Sequence, residues 1–203
     1  MEKRDNYALA VIQAKKLFLD YDQQELISRC RLKHDDTYFY LYFLGFDYRI
    51  CRKTGDMERF LDGTWVDGNA FGEVMTIFDW LCDSRADRYI TGRWTNILTQ
   101  GNYFHRSLQE EPADPLAEYF NSHPEQFDAA CTALHGKKGP GGDRSYVVEL
   151  VDGLCILIQF WFGDEEFPPK LRFLWDENTI RYIRYETTWY ALGLLRQRLR
   201  EAI

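Results

Sequence analysis

Tyr146-Val147-Val148-Glu149-Leu150-Val151-Asp152-Gly153-Leu154-Cys155-Ile156-Leu157-Ile158-Gln159-Phe160-Trp161-Phe162 is the stretch whose reading decides the fold. Two apolar runs, Tyr146 to Val151 and Leu154 to Phe162, flank Asp152-Gly153. That pair readily supplies the positive φ angles of a two-residue turn, so the stretch predicts a β-hairpin. Downstream, Lys170 to Trp175 reads as another strand and Asp176-Glu177-Asn178 as a turn. Thr187 to Ala202 reads as a closing helix with Trp189, Leu192, Leu195 and Leu199 toward the core.

Upstream of the hairpin, Gly136-Lys137-Lys138-Gly139-Pro140-Gly141-Gly142 is expected to be a flexible connector, because crowded glycines disfavour helix and strand. It separates residues 1–135 from residues 143–203. In the first part, Asp5 to Asp20 predicts a helix whose Ala8, Val11, Ile12, Phe18 and Leu19 share one face, with a second short helix through Arg29. Thr37 to Phe46 reads as a strand, Phe39, Leu41 and Phe43 on one face and Tyr38, Tyr40 and Tyr42 on the other, both faces covered. Turns at Gly45 to Asp47 and at Thr54-Gly55-Asp56 lead to Tyr48 to Lys53 and Met57 to Leu61, an antiparallel three-stranded meander. After a loop from Gly63 to Gly68, Asp67 or Asn69 caps a core helix carrying Phe71, Val74, Met75, Phe78, Leu81 and Cys82.

Arg88 to Ile97 is expected to be extended, with Gly101 to His105 as a continuation. Asp114-Pro115 and Pro124 start two helices, the second carrying Phe127, Ala130, Cys131 and Leu134 and ending at Gly136. Helices alternate with runs of strands rather than with single strands. The expected fold is therefore α+β, one domain over residues 1–203, antiparallel sheets covered by helices. No internal repeat is visible in the sequence.

With 203 residues, 45% hydrophobic and 16% aromatic, the chain has the composition of a packed globular protein. Its net charge is −7 and its Lys and Arg are dispersed, which argues against nucleic acid as a partner. No stretch approaches the ~20 apolar residues of a membrane span, and Met1-Glu2-Lys3-Arg4-Asp5 lacks a leader pattern, so a cytoplasmic location is expected. Cys30, Cys51, Cys82, Cys131 and Cys155 are scattered and odd in number, fitting neither a disulfide framework nor metal ligation; they are expected to be reduced and buried. His34, His105, His123 and His135 show no metal-ligand spacing.

Several segments occur in an order seen in one bacterial and archaeal family. They are Thr91-Gly92-Arg93-Trp94, Gly101-Asn102-Tyr103, Asp114-Pro115-Leu116-Ala117-Glu118-Tyr119-Phe120, Trp161-Phe162-Gly163-Asp164-Glu165-Glu166-Phe167-Pro168-Pro169 and Phe173-Leu174-Trp175-Asp176. The chain resembles domain-of-unknown-function family 3786 from about Phe71 onward, most specifically in the Gly-Asp-Glu-Glu-Phe-Pro segment. Gly141-Gly142-Asp143 also matches, in a shifted, Lys-rich loop. The resemblance implies a setting in anaerobes; relatives fused to an iron-sulphur domain imply a link to redox or corrinoid metabolism, and this chain carries no such cysteine-rich domain. It implies no catalytic residue, substrate or cofactor.

The first candidate site is the acidic segment Asp164, Glu165 and Glu166, which could converge with Asp176 and Glu186 as acid/base groups or, through Asp164, Glu166 and Asp176, as hard-metal ligands. The alternative is a solvated turn with Phe167 as a buried anchor and Pro168-Pro169 as a rigid entry to the next strand. Arg93, Trp94, His105 and Arg106 form a second constellation, suited to an anion or to ion pairs with the chain's own Asp164 or Glu166. Lys137 and Lys138 in the Gly-rich loop lack phosphate-loop order and read as part of a mobile linker. The tyrosine row reads as core and cross-strand packing. No cysteine stands out as a nucleophile.

The leading functional expectation is a non-catalytic accessory module that binds a small ligand or a protein partner; its cofactor, if any, is not indicated. A divalent-metal hydrolase built on the carboxylates is the second, and a protein–protein adaptor using exposed aromatics the third.

Overall fold

The computed structural model describes residues 6–97 and 114–203. Within them the chain is α+β, with six α-helices and two five-stranded antiparallel sheets. It divides into two compact units, residues 6–89 with 180–194, and residues 90–179 with 195–203, within the described range.

The first unit opens with helices α1 (Asn6–Asp20) and α2 (Gln23–Cys30). Asp22 caps α2 by accepting from the Gln24 and Glu25 amides. A meander follows: β1 (Lys33–His34), β2 (Tyr38–Phe43), β3 (Phe46–Cys51), β4 (Met57–Leu61) and β5 (Thr64–Asp67), each strand paired to the next. Helix α3 (Phe71–Asp83) completes the run. The sheet therefore has five strands where the sequence predicts three. The stretch expected to be a loop from Gly63 to Gly68 is mostly β5. Asp62-Gly63, at φ 49° and 80°, makes the same kind of tight turn as Asp152-Gly153.

The expected caps also differ. Asn69 does not cap α3; its side chain accepts from the Met57 amide and donates to the Met57 carbonyl, mimicking another strand residue. The helix start is satisfied instead by Glu73, whose Oε2 accepts from the Ala70 amide.

Phe18, fully buried, stacks on Phe78 with centroids 4.6 Å apart and meets Phe39 edge-on at 6.2 Å. It ties α1 to α3 and to the inner face of the sheet. The rest of α1 departs from expectation, since Ile12 and Leu19, placed on its inner face by periodicity, are exposed. Only the tip of that stripe reaches the core. The opposite end of α3 is closed by Arg29, whose guanidinium donates to the Leu81, Cys82 and Ser84 carbonyls and so satisfies orphan acceptors of the last turn.

The second unit holds β6 (Trp94–Thr95), α4 (Pro115–Ser122), α5 (Pro124–Ala133), β7 (Lys137–Lys138), β8 (Arg144–Val151), β9 (Leu154–Trp161) and β10 (Lys170–Asp176), in sheet order β6-β10-β9-β8-β7. Asp114 caps α4 from its side chain, with Pro115 at the first helical position. Strand β9 is central and buried along almost its whole length, the reason its sequence is apolar without alternation. Phe120, Phe127 and Phe160 form its aromatic core at 5.3 to 6.4 Å. Helix α6 (Tyr185–Glu201) follows, contributing residues up to Leu194 to the first unit and later ones to the second. Leu195 and Leu199 are buried as expected, whereas Trp189 is exposed.

The segment expected to be a flexible connector is instead tied down. Lys137 and Lys138 pair with Val147 and Tyr146, Gly136 donates to the Cys131 carbonyl, and Gly139 donates to the Ser145 carbonyl. A side chain at Gly139 would place its Cβ 2.7 Å from Leu157, so this glycine serves close packing rather than freedom. Two charged residues make a short, blunted sheet edge.

Asp128 on α5 gathers the Arg144 guanidinium, Lys138 Nζ at 2.9 Å and the Tyr146 hydroxyl at 2.8 Å. Burial alone would raise its carboxyl, but these partners hold it below the ordinary value of 3.8. A depressed folded pKa gives stability that is present above the unfolded value and lost as pH falls through the folded one. The chain should therefore lose stability on acidification below about pH 4, and Asp128→Asn should reduce that loss in urea titrations run across the window.

The two units repeat an element order that the sequence does not display. In each, two helices end in a left-handed residue, Arg31 (φ 51°) or His135 (φ 56°). A two-residue strand follows, then a hairpin turning on two positive-φ residues and a further strand. Leu44-Gly45 makes the first unit's hairpin turn and Asp152-Gly153 the second's. The fifth strands differ, since β5 follows β4 in the chain whereas β6 precedes α4.

Candidate functional site

Strand β10 separates the two main carboxylates singled out in the sequence. Its first residue, Lys170, pairs with Trp161, beyond which Asp164 lies, while Asp176 is its last residue. Six strand steps put the two ends about 20 Å apart. Asp164, Glu166 and Asp176 thus do not form one cluster, and Glu186 sits at the start of α6 in the first unit. Among the described residues, no group of three or more His, Cys, Asp and Glu side chains is placed to hold a metal.

Asp176 and Asp164 each have a local task. Asp176 is 2% exposed; its Oδ2 accepts from the Thr91 amide, the Thr91 hydroxyl and the Gly92 amide, and its Oδ1 from the Asn178 amide. It fastens the chain entering β6, whose Trp94 pairs with Asp176 itself. Asp164 Oδ1 accepts from the Glu166 and Phe167 amides, which hold its carboxyl below the usual value and close the turn on itself. Glu165 and Glu166 are exposed. Phe167, expected to be a buried anchor, is 67% exposed. Gly163 cannot carry a side chain without its Cβ lying 2.7 Å from Pro169, so the loop displays Phe167 from a tight base.

Arg93 pairs with Glu177, Nε to Oε2 at 2.7 Å, and not with the acidic segment. Trp94 is half-buried on β6. His105 and Arg106 lie outside the described residues.

The feature that the residues do build together is the outer face of the first sheet. Register places Tyr38, Tyr40 and Tyr42 of β2 on the same face as Cys51, Arg49 and Asp47 of β3, then Glu58 and Phe60 of β4, then Asp67 and Trp65 of β5. The tyrosine row, expected to be covered packing, is half-buried, and Phe60 is 39% exposed. The reason is one-sided covering: the face carrying Phe39, Phe43, Tyr48, Ile50 and Met57 is the buried one.

Arg49 lies across this face. Its guanidinium carbon is 4.5 Å from the centroids of both Tyr38 and Trp65, and its Nε donates to Glu58 at 2.6 Å. Phe60 packs on Trp65 at 5.1 Å. The Tyr40 hydroxyl donates to Asp35 at 2.7 Å; that bond holds Asp35 below and Tyr40 above their usual values and fixes the ring. The result is a platform of oriented rings with a charge held between two of them.

A family model for a domain of unknown function, DUF3786, matches residues 22–198. The chain belongs to the DUF3786 family. The match begins well before Phe71, so the DUF3786 region takes in the whole aromatic platform as well as the Gly-Asp-Glu-Glu-Phe-Pro turn. No curated protein and no solved structure matches the chain.

Sequence reading missed Arg49, Phe60 and Trp65. The usable signal was Asp62-Gly63 between two short apolar runs, which would have extended the meander to β5 and put Trp65 beside Phe60.

Cysteine chemistry also singles out a residue of the platform. Burial alone would raise the Cys51 thiol, but hydrogen bonds from the Thr54 hydroxyl and the Lys53 and Thr54 amides bring it below the ordinary 9.0. Burial pushes Cys82 up to about 12 and Cys155 up to about 11, and also raises Cys131. Cys51 and Cys155 are half-buried rather than buried as expected. Cys51 should therefore be alkylated before Cys82, Cys131 and Cys155 by limiting iodoacetamide near neutral pH, as read by peptide mass spectrometry.

Proposed function

We propose that this DUF3786 chain is a non-catalytic recognition module whose binding surface is the outer face of the first sheet. The observation that carries the reading is the placement of Arg49 between Tyr38 and Trp65, flanked by Tyr40, Tyr42 and the exposed ring of Phe60. Oriented aromatics are the side chains on which interfaces concentrate binding energy, because they bring large contact area at small entropic cost. Of the carboxylates that an enzyme reading would need, Asp164 and Asp176 lie at opposite ends of β10 and each accepts from backbone amides. A cytoplasmic place and a role beside anaerobic redox metabolism go with this reading and rest on the family resemblance.

The test is affinity capture from the native host with the full chain and with a Tyr42→Glu, Phe60→Glu variant of equal thermal stability. A partner retained in stoichiometric amount by the former and lost by the latter is expected. Equal retention by both would move the surface elsewhere.

A further inference from the structure

We propose that the platform recognises an extended peptide segment bearing arginine or lysine side chains, supplied by a partner protein. The inference rests on the reading of this face as the binding surface and names what it binds.

The molecule already shows the mode. The Tyr38 and Trp65 rings take a guanidinium at 4.5 Å each, while Glu58 meets its edge. The electron-rich faces of such rings attract lysine and, more often, arginine side chains. Tyr40, packed on Tyr38 at 6.2 Å, and Phe60, packed on Trp65 at 5.1 Å, continue the surface on either side.

The charges on the same face point the same way. Register sets Asp47, Glu58 and Asp67 against Arg49 and, on β1 opposite Tyr40, Lys33. Arg49 is taken by Glu58. Asp47 and Asp67 are exposed beside the rings, with Asp35 at the end of the tyrosine row. The chain carries −7 overall, so the long-range field draws in a cation and repels a phosphate backbone or an acidic peptide. Alternate side chains of an extended segment lie about 6–7 Å apart, a spacing that lets successive cations meet neighbouring rings of the sheet.

The experiment is fluorescence anisotropy on the full chain with short labelled peptides alternating glycine with arginine, lysine, glutamine or glutamate, and with a labelled oligothymidylate. The arginine and lysine peptides should bind about tenfold or more tighter than the glutamine peptide, weaken with added salt, and lose about tenfold with Asp47→Asn, Asp67→Asn. The glutamate peptide and the oligothymidylate should not bind. If the glutamine peptide, the glutamate peptide or the oligothymidylate binds as well, and Phe60→Glu abolishes it, the ligand class is wrong while the surface stands. If no probe binds, the cationic class is overturned, and host capture with the Tyr42→Glu, Phe60→Glu variant decides the surface separately.

Discussion

Replacing Asp176 by alanine should destabilise the chain by about 3–5 kcal/mol, lowering the urea midpoint without changing the slope. The side chain is buried and accepts from Thr91 twice, from Gly92 and from Asn178. Truncation removes four hydrogen bonds to a buried carboxylate, each worth about 1.5–3 kcal/mol where it is shielded from water; Gly92 is exposed and Thr91 and Asn178 are half-buried, so water takes over part of that loss. Asp176→Asn keeps the shape and one acceptor oxygen but faces its amide hydrogens toward donors; about 2 kcal/mol is expected. The ordering alanine worse than asparagine distinguishes a structural clamp from a ligand-binding carboxylate, whose loss would spare stability and remove binding.

Phe18→Ala should cost about 3–5 kcal/mol. Phe18 is the buried residue of α1, held between Phe78 and Phe39, and its removal opens a cavity where helix meets sheet. Because Ile12, Leu17 and Leu19 are exposed, little else anchors the helix by apolar burial. Hydrogen exchange should therefore show α1 amides losing protection ahead of the β8–β9 hairpin, whose protection should stay near that of the native chain. Uniform loss across both units would contradict this division of the core.

The elements with strong local codes were legible in the sequence. Asp152-Gly153 between apolar runs and Asp114-Pro115 before a helix each name their structure through φ preference and capping. What failed depended on tertiary context. Periodicity gave α1 an apolar face but not the fact that only Phe18 reaches a partner. Glycine crowding at 136–142 signalled freedom, while the close approach of Leu157 to Gly139 makes it packing. The tyrosine alternation located the strand correctly, yet which face is covered depends on what packs against its other residues. Asp164 and Asp176 are 12 residues apart in the chain, and only the strand between them shows that they face opposite ends of a sheet.

The most direct test of the platform is aromatic-ring NMR of the full chain titrated with the alternating arginine–glycine peptide. Shifts concentrated on Tyr38, Tyr40, Tyr42, Phe60 and Trp65, with Phe162 and Phe167 unmoved, are predicted. Shifts at Phe162 and Phe167 with the platform rings silent would contradict the account.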